Sequence, residues 1–425
     1  MNVKPKFAKL LVFVLWFCLF CAVLGLRFWG LGRFPTFIFD ESIYARLAQK
    51  YLAGTAFFHN HPPLGKYLIA LGIGLGGFNP VGCRWLNALL GSAIPFIVGA
   101  IAYQLSQRQR YALLATGLSA VDGLLLVESR YALLNIYIVF FGLLGQWFCI
   151  RSLTATQRKI WLLLGGLSLG AAAAVKWSGL SFTAGIAGVL LMLKLRGNPP
   201  FARKIRIWQL GFFLGIIPLA SYTLLWLPHL ALNPGSSLWQ IHQQMLQYHQ
   251  TVSTVNNPYC SAWYTWPWMF RPVSYFHQIS AQVTEQAIVY DVRAMGNPVL
   301  WGLGSIAISI AFFKIGRLLF RKTSFTAEQD WPWVYCGINY LVNWLPWLVV
   351  TRCTFLYHYL PSVIFSFLVL AWLITCWLEK VRFRRVAWIS IALVTIAFVF
   401  WLPLYLGLPL SPQSWGWRLL LPTWR

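Results

Sequence analysis

Charged side chains are scarce in this sequence, and acidic ones are the scarcest. Of 425 residues, 9 are Asp or Glu and 10% are charged, whereas 59% are hydrophobic. A soluble domain of this length needs far more charge to cover its surface, so a soluble protein is excluded. Apolar runs of about 17–25 residues, long enough to cross a hydrocarbon core about 30 Å thick, recur along the chain. We therefore expect an all-α, multi-pass integral membrane protein.

The sequence also lacks internal repeats, low-complexity tracts and a separate soluble domain. Hydropathy predicts about eleven transmembrane helices, at residues 9–26, 82–105, 111–127, 131–150, 160–175, 178–193, 208–228, 298–316, 331–350, 355–378 and 386–408. The first has no clear small-residue cleavage site after it, so we expect it to be retained. Residues 1–425 then form one membrane domain with two long loops, 27–81 and 229–297.

Basic residues give the chain a formal charge of +25, which raises the question of nucleic acid. Their positions argue against that partner, because 21 of the 34 Lys and Arg lie in alternate connections between the predicted spans. The positive-inside rule places those connections in the cytoplasm, where they also meet anionic lipids. The sequence therefore predicts an N-in, C-out topology, with both long loops outside and the bilayer as the partner of the basic residues.

Few cysteines lie outside the predicted spans. Cys18 and Cys21 fall within the first span, where packing explains them better than redox or metal chemistry. Cys260 and Cys353 are expected on the outer side. The sequence leaves open whether these two form a disulfide.

One adjacent acidic pair, Asp40–Glu41, lies in the first outer loop. The apolar pattern of residues 41–53 predicts a helix, which Asp40 can cap and whose dipole Glu41 complements. The alternative is catalytic, because carboxylates near lipid are costly and mark functional sites by default. Neighbouring acids also raise one pKa toward the working range of a base. Both interpretations remain open on these residues alone.

A second group in this loop contains His59, His61 and Lys66. Two His separated by one residue are a weak metal signal, and Pro62-Pro63 favours a stiff structural turn instead. Residues 64–78 then read as an apolar helix at the membrane interface. Lys66 at its start suits a phosphate or lipid headgroup.

Further motifs follow in a fixed order: Phe39-Asp40-Glu41, His61-Pro62-Pro63-Leu64-x-Lys66, Ser129-Arg130-x-x-Leu133-Leu134, Val175-Lys176-Trp177-Ser178-Gly179, Trp266-Pro267-Trp268-x-x-Arg271-Pro272 and Arg352-Cys353-x-Phe355-Leu356-Tyr357-His358. In this order they resemble the protein O-mannosyltransferases, members of the GT-C glycosyltransferase class. The resemblance spans residues 39 to 361. It departs from the family at Asn135, where many members carry Asp, and in lacking the luminal MIR domain, which favours a bacterial-type member.

The resemblance implies a GT-C fold and an activity. Members move mannose from a polyprenyl (dolichyl-type) phosphate to Ser or Thr of secreted or membrane proteins, at the extracytoplasmic face of the cell membrane. It implies that Asp40 is the catalytic base and Glu41 its support. Attack opposite the phosphate inverts the anomeric carbon, and no metal or other cofactor is expected.

The departing phosphate calls for cations. The candidates for binding the donor phosphate or sugar are Arg84, His61, Lys66, Arg130, Arg352 and His358, with Arg84 ranked first and Lys176 among the other outer cations. Acceptor-loop candidates are Trp266, Trp268 and Arg271, although the tryptophans fit the membrane interface as well. Glu285 and Asp291 are a fallback base pair. Asp122 and Glu128 are expected to pair with basic groups.

Two other functions stay open on the sequence. A GT-C relative can transfer the sugar to a lipid or glycan instead of a protein. A carrier that flips a lipid-linked sugar is the non-enzyme alternative, and it predicts charges at the midplane and related halves. The oligomeric state and the acceptor proteins are not predicted.

Overall fold

The computed structural model describes residues 5–196, 206–252, 257–280, 287–320 and 327–425. Its helices, in chain order, are α1 (Pro5–Phe28), α2 (Glu41–Leu52), α3 (Leu64–Gly76), α4 (Pro80–Ser106), α5 (Gln109–Ala120), α6 (Gly123–Arg130), α7 (Asn135–Arg151), α8 (Arg158–Val175), α9 (Leu180–Arg196), α10 (Ile207–Leu232), α11 (Leu238–Thr251), α12 (Pro298–Phe320), α13 (Ala327–Trp344), α14 (Leu360–Glu379), α15 (Arg384–Leu406) and α16 (Pro412–Arg418). The strands are β1 (Val273–Ser280) and β2 (Ile288–Ala294).

Each of the eleven predicted spans coincides with a helix or a pair of helices. Among the described residues, eight helices are long and apolar enough to cross a bilayer, and the pair α5–α6 makes a ninth if it is one bent span. α7 is apolar but has only 17 residues. α13 begins with polar and acidic residues, so its whole length is not apolar. The count of eleven crossings therefore stays a prediction.

The predicted third span is not one continuous helix. α5 and α6 meet at 63°, and Asp122 caps the second of them by accepting a hydrogen bond from the Leu125 N–H at 2.9 Å. Its other oxygen accepts from the indole N–H of Trp301 at 2.7 Å. The expected ion pair of Asp122 with a basic group is wrong, because among the described residues these neutral donors bind it instead.

Interior packing puts α14 at the centre and α1 at the rim. The apolar windows of these two spans are 89% and 11% buried, respectively. Small residues let α7 and α8 approach closely, since a Cβ on Gly145 would lie 3.0 Å from the Gly165 carbonyl oxygen. Close backbone approach of this kind substitutes for a hydrophobic driving force between helices in lipid.

The second long loop contains a β-hairpin, which the all-α prediction missed. β1 and β2 pair antiparallel, and Val289 of β2 also pairs with Leu410 beyond α15. Asp291 and Arg293 form a buried ion pair at 2.6 Å, and the Trp415 indole donates to Asp291 at 2.8 Å. These bonds occupy Asp291, so its role as a fallback base is wrong. Glu285 lies outside the described residues.

Segments that were predicted to share one side of the membrane meet at one end of the molecule. A disulfide joins Cys260 to Cys353. At the opposite end, Arg108 and Glu379, from two connections predicted to be inside, form an exposed ion pair at 2.7 Å. The alternation of connections is consistent with the predicted topology.

Candidate active site

Asp40 lies one residue before α2, where a capping carboxylate binds a backbone N–H of the first turn. Its backbone is already helical, with φ −64° and ψ −13°, and its side chain makes no capping hydrogen bond. Within the described ranges, the Asp40 carboxylate has no hydrogen-bond or ion-pair partner. Asp40 is therefore the N-cap residue by position, but its side chain does not cap the helix, and both carboxylate oxygens are available to a ligand.

The residue before it, Phe39, holds an unusual backbone conformation. Its φ of +51° lies in the left-handed region, which costs a non-glycine residue roughly 1–3 kcal/mol and is concentrated at functional sites. The Phe39 ring stacks on Tyr275 of β1 with centroids 4.2 Å apart and meets Tyr357 edge-on at 6.0 Å. These aromatic contacts offset the strain and join the start of α2 to the hairpin.

Glu41 is bound on every side. Its carboxylate is fully buried and accepts from Arg84 Nε and Nη2, each at 2.8 Å. The backbone N–H groups of Ile38 and Ala132 donate to the same carboxylate at 3.1 and 3.0 Å. With four donors bound, the carboxylate has no lone pair left for a substrate. Of the two acids, only Asp40 is placed to take a proton.

The guanidinium of Arg84 binds groups of the protein itself. Besides the two bonds to Glu41, it donates to the backbone carbonyls of Leu31, Phe34 and Thr36 at 2.9 to 3.0 Å. Those contacts use all five N–H donors that an arginine has. The prediction that Arg84 binds the donor phosphate is wrong, because Arg84 instead ties the 31–41 segment to α4.

Two further predicted phosphate ligands also point into the protein. Lys66 is 1% exposed and donates to the carbonyls of His61 and Pro62 at 2.7 and 2.9 Å, with the His59 ring at 3.3 Å. Arg130 is 2% exposed and binds carbonyls at the end of α1, Leu26, Arg27, Trp29 and Gly30. Neither cation is open to a ligand, so both predictions are wrong.

Two cavities meet beside Asp40. The first, which we call the Asp40 cavity, has a volume of about 440 Å³ and is lined by Asp40, Tyr44 and Tyr357 among others. The apolar cavity, of about 610 Å³, runs between α9, α11 and the segment after α13 and is lined by Leu180, Val349 and similar residues. Six residues line both cavities: Asn60, His61, Lys176, His249, Arg352 and His358. Among the predicted ligands, His61, Arg352 and His358 are therefore placed where the two spaces join.

Lys176 and Arg352 are the cations at this junction. Lys176, between α8 and α9, donates to the Asn135 side-chain oxygen at 3.0 Å. Arg352 donates one hydrogen bond, to the Cys353 carbonyl at 3.2 Å. Each retains N–H donors for a ligand, and the Cys260–Cys353 disulfide fixes the residue next to Arg352.

Burial acts on the titrating groups at the junction. It raises the pKa of the Asp40 carboxyl above its ordinary value, and the charge of Lys176 opposes that rise. Burial also lowers the pKa of Lys176 to about 8, although Glu128 and Asp40 pull it back up. The pKa of His61 falls well below its ordinary value, again through burial. A raised carboxyl pKa strengthens Asp40 as a proton acceptor.

The three acceptor-loop candidates do not line either cavity. Trp266 is fully buried and stacks behind His358 with centroids 6.1 Å apart. Arg271 donates to the Cys260 carbonyl at 3.3 Å, and Trp268 lies exposed on the surface. The acceptor role fails for the buried Trp266, and the structure offers no contact that supports it for the other two.

Some of the residues that line the cavities were not predicted from the sequence. His249 and Asn60 were not singled out, yet the His249 ring nitrogen bonds the Asn60 carbonyl at 2.9 Å. A signal was present, because α11 carries His242 and His249 seven residues apart, on one face of the helix. Across the described part of the chain, no three His, Cys, Asp or Glu side chains converge as metal ligands.

Two family profiles match this chain. Dolichyl-phosphate-mannose-protein mannosyltransferase matches residues 17–82 and 79–232, more than half of the chain. The C-terminal four TMM region of protein-O-mannosyltransferase matches residues 235–424. Similar relatives include the polyprenol-phosphate-mannose–protein mannosyltransferases of Mycolicibacterium smegmatis, 27% identical over 94% of this chain and 90% of the relative, and of Mycobacterium tuberculosis, 28% identical over 94% and 89%.

Solved structures share the fold at low sequence identity. The Saccharomyces cerevisiae protein O-mannosyltransferase Pmt1–Pmt2 complex bound to the sugar donor aligns with a TM-score of 0.84 at 15% identity, over 100% of this chain and 93% of that one. ArnT from Cupriavidus metallidurans bound to undecaprenyl phosphate aligns with a TM-score of 0.60 at 14% identity, over 94% and 65%. The similarity in fold thus extends over the whole chain, including both long loops.

Proposed function

This chain belongs to the dolichyl-phosphate-mannose–protein mannosyltransferase family and has the GT-C fold, and from that premise we propose how its own residues perform the transfer. The enzyme moves mannose from a polyprenyl phosphate to proteins. We assign the acceptor to Ser and Thr hydroxyls, the base to Asp40, and the leaving phosphate to Lys176 and Arg352.

The chemistry needs one base and positive charge. The acceptor oxygen attacks the anomeric carbon, the bond from that carbon to the phosphate oxygen breaks, and the hydroxyl proton goes to the Asp40 carboxylate. Attack from the face opposite the phosphate inverts the anomeric carbon, so a β-linked donor yields an α-mannoside. A phosphate leaves readily, which makes an acid on its oxygen unnecessary once cations neutralise its charge.

The observation that carries the base assignment is the environment of Asp40. Among the described residues, it is the one carboxylate that lines the cavities, and no protein donor occupies it. Glu41 next to it is buried in the ion pair with Arg84. A base needs an open lone pair and a raised pKa, and Asp40 has both.

The apolar cavity suits the donor lipid. Its walls are mainly hydrophobic, and the two cations Lys176 and Arg352 lie where it meets the Asp40 cavity. We propose that the first prenyl units lie in the apolar cavity, the phosphate lies between the cations, and the sugar reaches toward Asp40. Lysine and arginine supply the charge compensation in this scheme, so it requires no metal.

The position of the disulfide supports an extracytoplasmic site. Cys353 pairs with Cys260 and is next to Arg352, which lines the same cavity as Asp40. Disulfides persist in oxidising compartments rather than in the cytosol. The acceptors that reach this side of the cell membrane are secreted or membrane proteins.

The decisive experiment is transfer by the purified protein in detergent, with polyprenyl-phosphate mannose and a peptide containing Ser and Thr. We expect mannosyl-peptide from the wild type. Asp40→Asn should lower kcat by about 10²–10⁴-fold while retaining the elution profile and Tm, because the lost charge has no protein partner. Glu379→Gln, which removes a carboxylate at the opposite end, is the matched control and should stay fully active.

Two outcomes would contradict the proposal. Full activity of Asp40→Asn would remove Asp40 as the base. Transfer of mannose to a lipid or glycan acceptor, with none to the peptide, would overturn the acceptor.

A further inference from the structure

Glu128 is a buried carboxylate that the proposed reaction does not use. It lies in α6 with no exposed surface, and the expected ion pair with a basic group is absent among the described residues. One oxygen accepts from the Tyr275 hydroxyl of β1, and the other accepts from the Asn135 side-chain nitrogen at 3.1 Å. Removing a charge from water without a counter-charge in contact is costly, so the position of this carboxylate calls for a reason.

Asn135 connects Glu128 to the junction cation. At the start of α7, its side-chain nitrogen donates to Glu128 while its oxygen accepts from the Lys176 ammonium at 3.0 Å. Turning the amide over would set N–H against ammonium and oxygen against carboxylate. The charged partners therefore fix the orientation of the amide. Glu128 and Lys176 form a carboxylate–ammonium pair with one amide between them.

Glu128, Asn135 and Lys176 together form a relay, and this relay also borders Asp40. Asp40, Asn135, Lys176 and Tyr275 line one recess of about 10 Å³, which has space for about one water molecule. Lys176 nevertheless makes no ion pair with Asp40, because Asn135 holds the ammonium. A direct ion pair would lower the pKa of the base and weaken it.

We propose that Glu128 is a positioning residue, acting through Asn135 to hold the Lys176 ammonium at the cavity junction for the donor phosphate and away from direct pairing with Asp40. Glu128 does not touch substrate in this arrangement. Its negative charge balances Lys176, and its bond to Tyr275 fixes the relay to the outer hairpin. This inference rests on the proposed phosphate role of Lys176, but not on Asp40 being the base.

A charge swap tests the relay. In Glu128→Gln, an amide faces the Asn135 amide, and Lys176 loses its acceptor if Asn135 turns over. In Asn135→Asp, two carboxylates face each other. The double variant Glu128→Gln/Asn135→Asp keeps every hydrogen bond. The introduced glutamine accepts from Tyr275 and donates to the introduced aspartate, which now pairs directly with Lys176.

The measurements are kcat and KM for polyprenyl-phosphate mannose and the Kd of the product, polyprenyl phosphate. We expect each single variant to lose about 10–100-fold in kcat/KM and to bind the product more weakly. The double variant should return to within about threefold of wild type in both. A purely structural role predicts losses that add in the double variant, whereas a relay predicts strong coupling between the two sites.

Every result decides the proposal. A single Glu128→Gln variant with wild-type kcat/KM and product affinity contradicts it. So does a folded double variant that is no better than the poorer single one, and so does a double variant that fails to fold, since the swap preserves each bond. If the singles do not fold, recovery of folding, activity and product binding in the double supports it. Product binding stays informative even if Asp40→Asn proves active, so the two proposals fail separately.

Discussion

Arg84 and Glu41 act as one buried unit, because every donor of the guanidinium and four acceptor sites of the carboxylate are used within the protein. Breaking a buried pair by changing one partner costs about 3–5 kcal/mol, since the other charge is left without compensation. A lysine cannot reproduce the two-point contact or the three carbonyl bonds. The unit is therefore expected to matter for folding of the 31–41 segment rather than for donor binding.

Arg84→Lys should lower the Tm of the purified protein while the folded fraction keeps its Kd for polyprenyl phosphate. Thermal unfolding in detergent and product binding measure the two quantities on one sample. Arg271→Lys is the matched control, because Arg271 makes a single bond to the Cys260 carbonyl and should change neither. An unchanged Tm together with lost product affinity would restore Arg84 to the phosphate site.

The pH dependence of transfer should have two limbs. As the proposed base, Asp40 must be deprotonated to accept a proton, so activity should fall on the acid side, and its raised pKa should move that limb to higher pH. In its proposed role as a phosphate ligand, Lys176 must be protonated, so activity should fall on the alkaline side near its pKa of about 8. The groups that face Lys176 are the carboxylates of Asp40 and Glu128, the Arg352 guanidinium, the rings of His61, His249 and His358, and the hydroxyls of Tyr44, Tyr275 and Tyr357.

Lys176→Arg isolates the alkaline limb. Arginine stays protonated far above this range, so the fall in kcat/KM near the pKa of about 8 should move to higher pH, even if the rate at neutral pH drops. The acid limb should stay in place, because the Asp40 carboxyl still has a cation beside it. A profile with the alkaline limb unmoved would assign that limb to another group.

At the scale of single residues, Asp40 was predicted as a site residue, and its side chain does line a cavity. The sequence did not predict where each cationic side chain points. Arg84, Arg130 and Lys66 were predicted to bind phosphate because they are cations, yet they donate to acceptors within the protein, such as the Leu26 carbonyl at the end of α1 for Arg130. Those acceptors come within reach of the three side chains only once the chain is folded. Lys176 was predicted only as one of several candidate cations, because the residues around it in the sequence do not indicate that it lines the same cavity as Asp40.

At the scale of elements, the helices were predictable and the irregular segments were not. Apolar runs of about 20 residues produce helices in lipid, because every backbone group must be satisfied internally. The break at Asp122 left a readable signal, since Asp followed by Gly123 is a helix start inside an apolar run. The β1–β2 hairpin gave no comparable signal, because its pairing with Leu410 and its contacts with Phe39 come from distant parts of the chain.

The Cys260–Cys353 disulfide should position the segment that carries Arg352. Beside it, the Ser261 N–H donates to the Thr354 carbonyl at 2.8 Å and the Thr354 hydroxyl donates to the Ser261 carbonyl at 2.7 Å. We expect these hydrogen bonds to preserve the local fold when the covalent link is lost, but with less restraint on Arg352. Donor affinity is therefore expected to fall more than the chemical step.

Cys260→Ser/Cys353→Ser should raise KM for polyprenyl-phosphate mannose several-fold, with a smaller change in kcat. A thiol reductant should produce the same change in the wild type and none in the double variant, which controls for effects of the reductant elsewhere. Equal loss in kcat at unchanged KM would assign the disulfide to the catalytic step instead.

At the scale of the whole molecule, the two ends differ in chemistry. The cavities, the disulfide and the hairpin lie at one end, whereas the Arg108–Glu379 pair lies at the other, near basic residues that the positive-inside rule assigns to the cytoplasm. We propose that the first end faces out of the cell, where exported acceptors would meet the membrane-anchored donor. The predicted N-in, C-out topology makes this arrangement testable in cells.

Residues on either side of α15 distinguish the two orientations. Gln413, in α16, and Arg382, before α15, are both exposed, so a cysteine at either position should be reachable from water. In intact cells, a membrane-impermeant maleimide should label Gln413→Cys, and it should label Arg382→Cys only after permeabilisation. The unmodified chain is the control for background labelling: its free Cys18 and Cys21 lie on the apolar helix α1, Cys83, Cys149 and Cys336 are buried, and Cys376 is half-buried. The reverse pattern would place the Asp40 cavity in the cytoplasm, where neither a lasting disulfide nor an exported acceptor is expected.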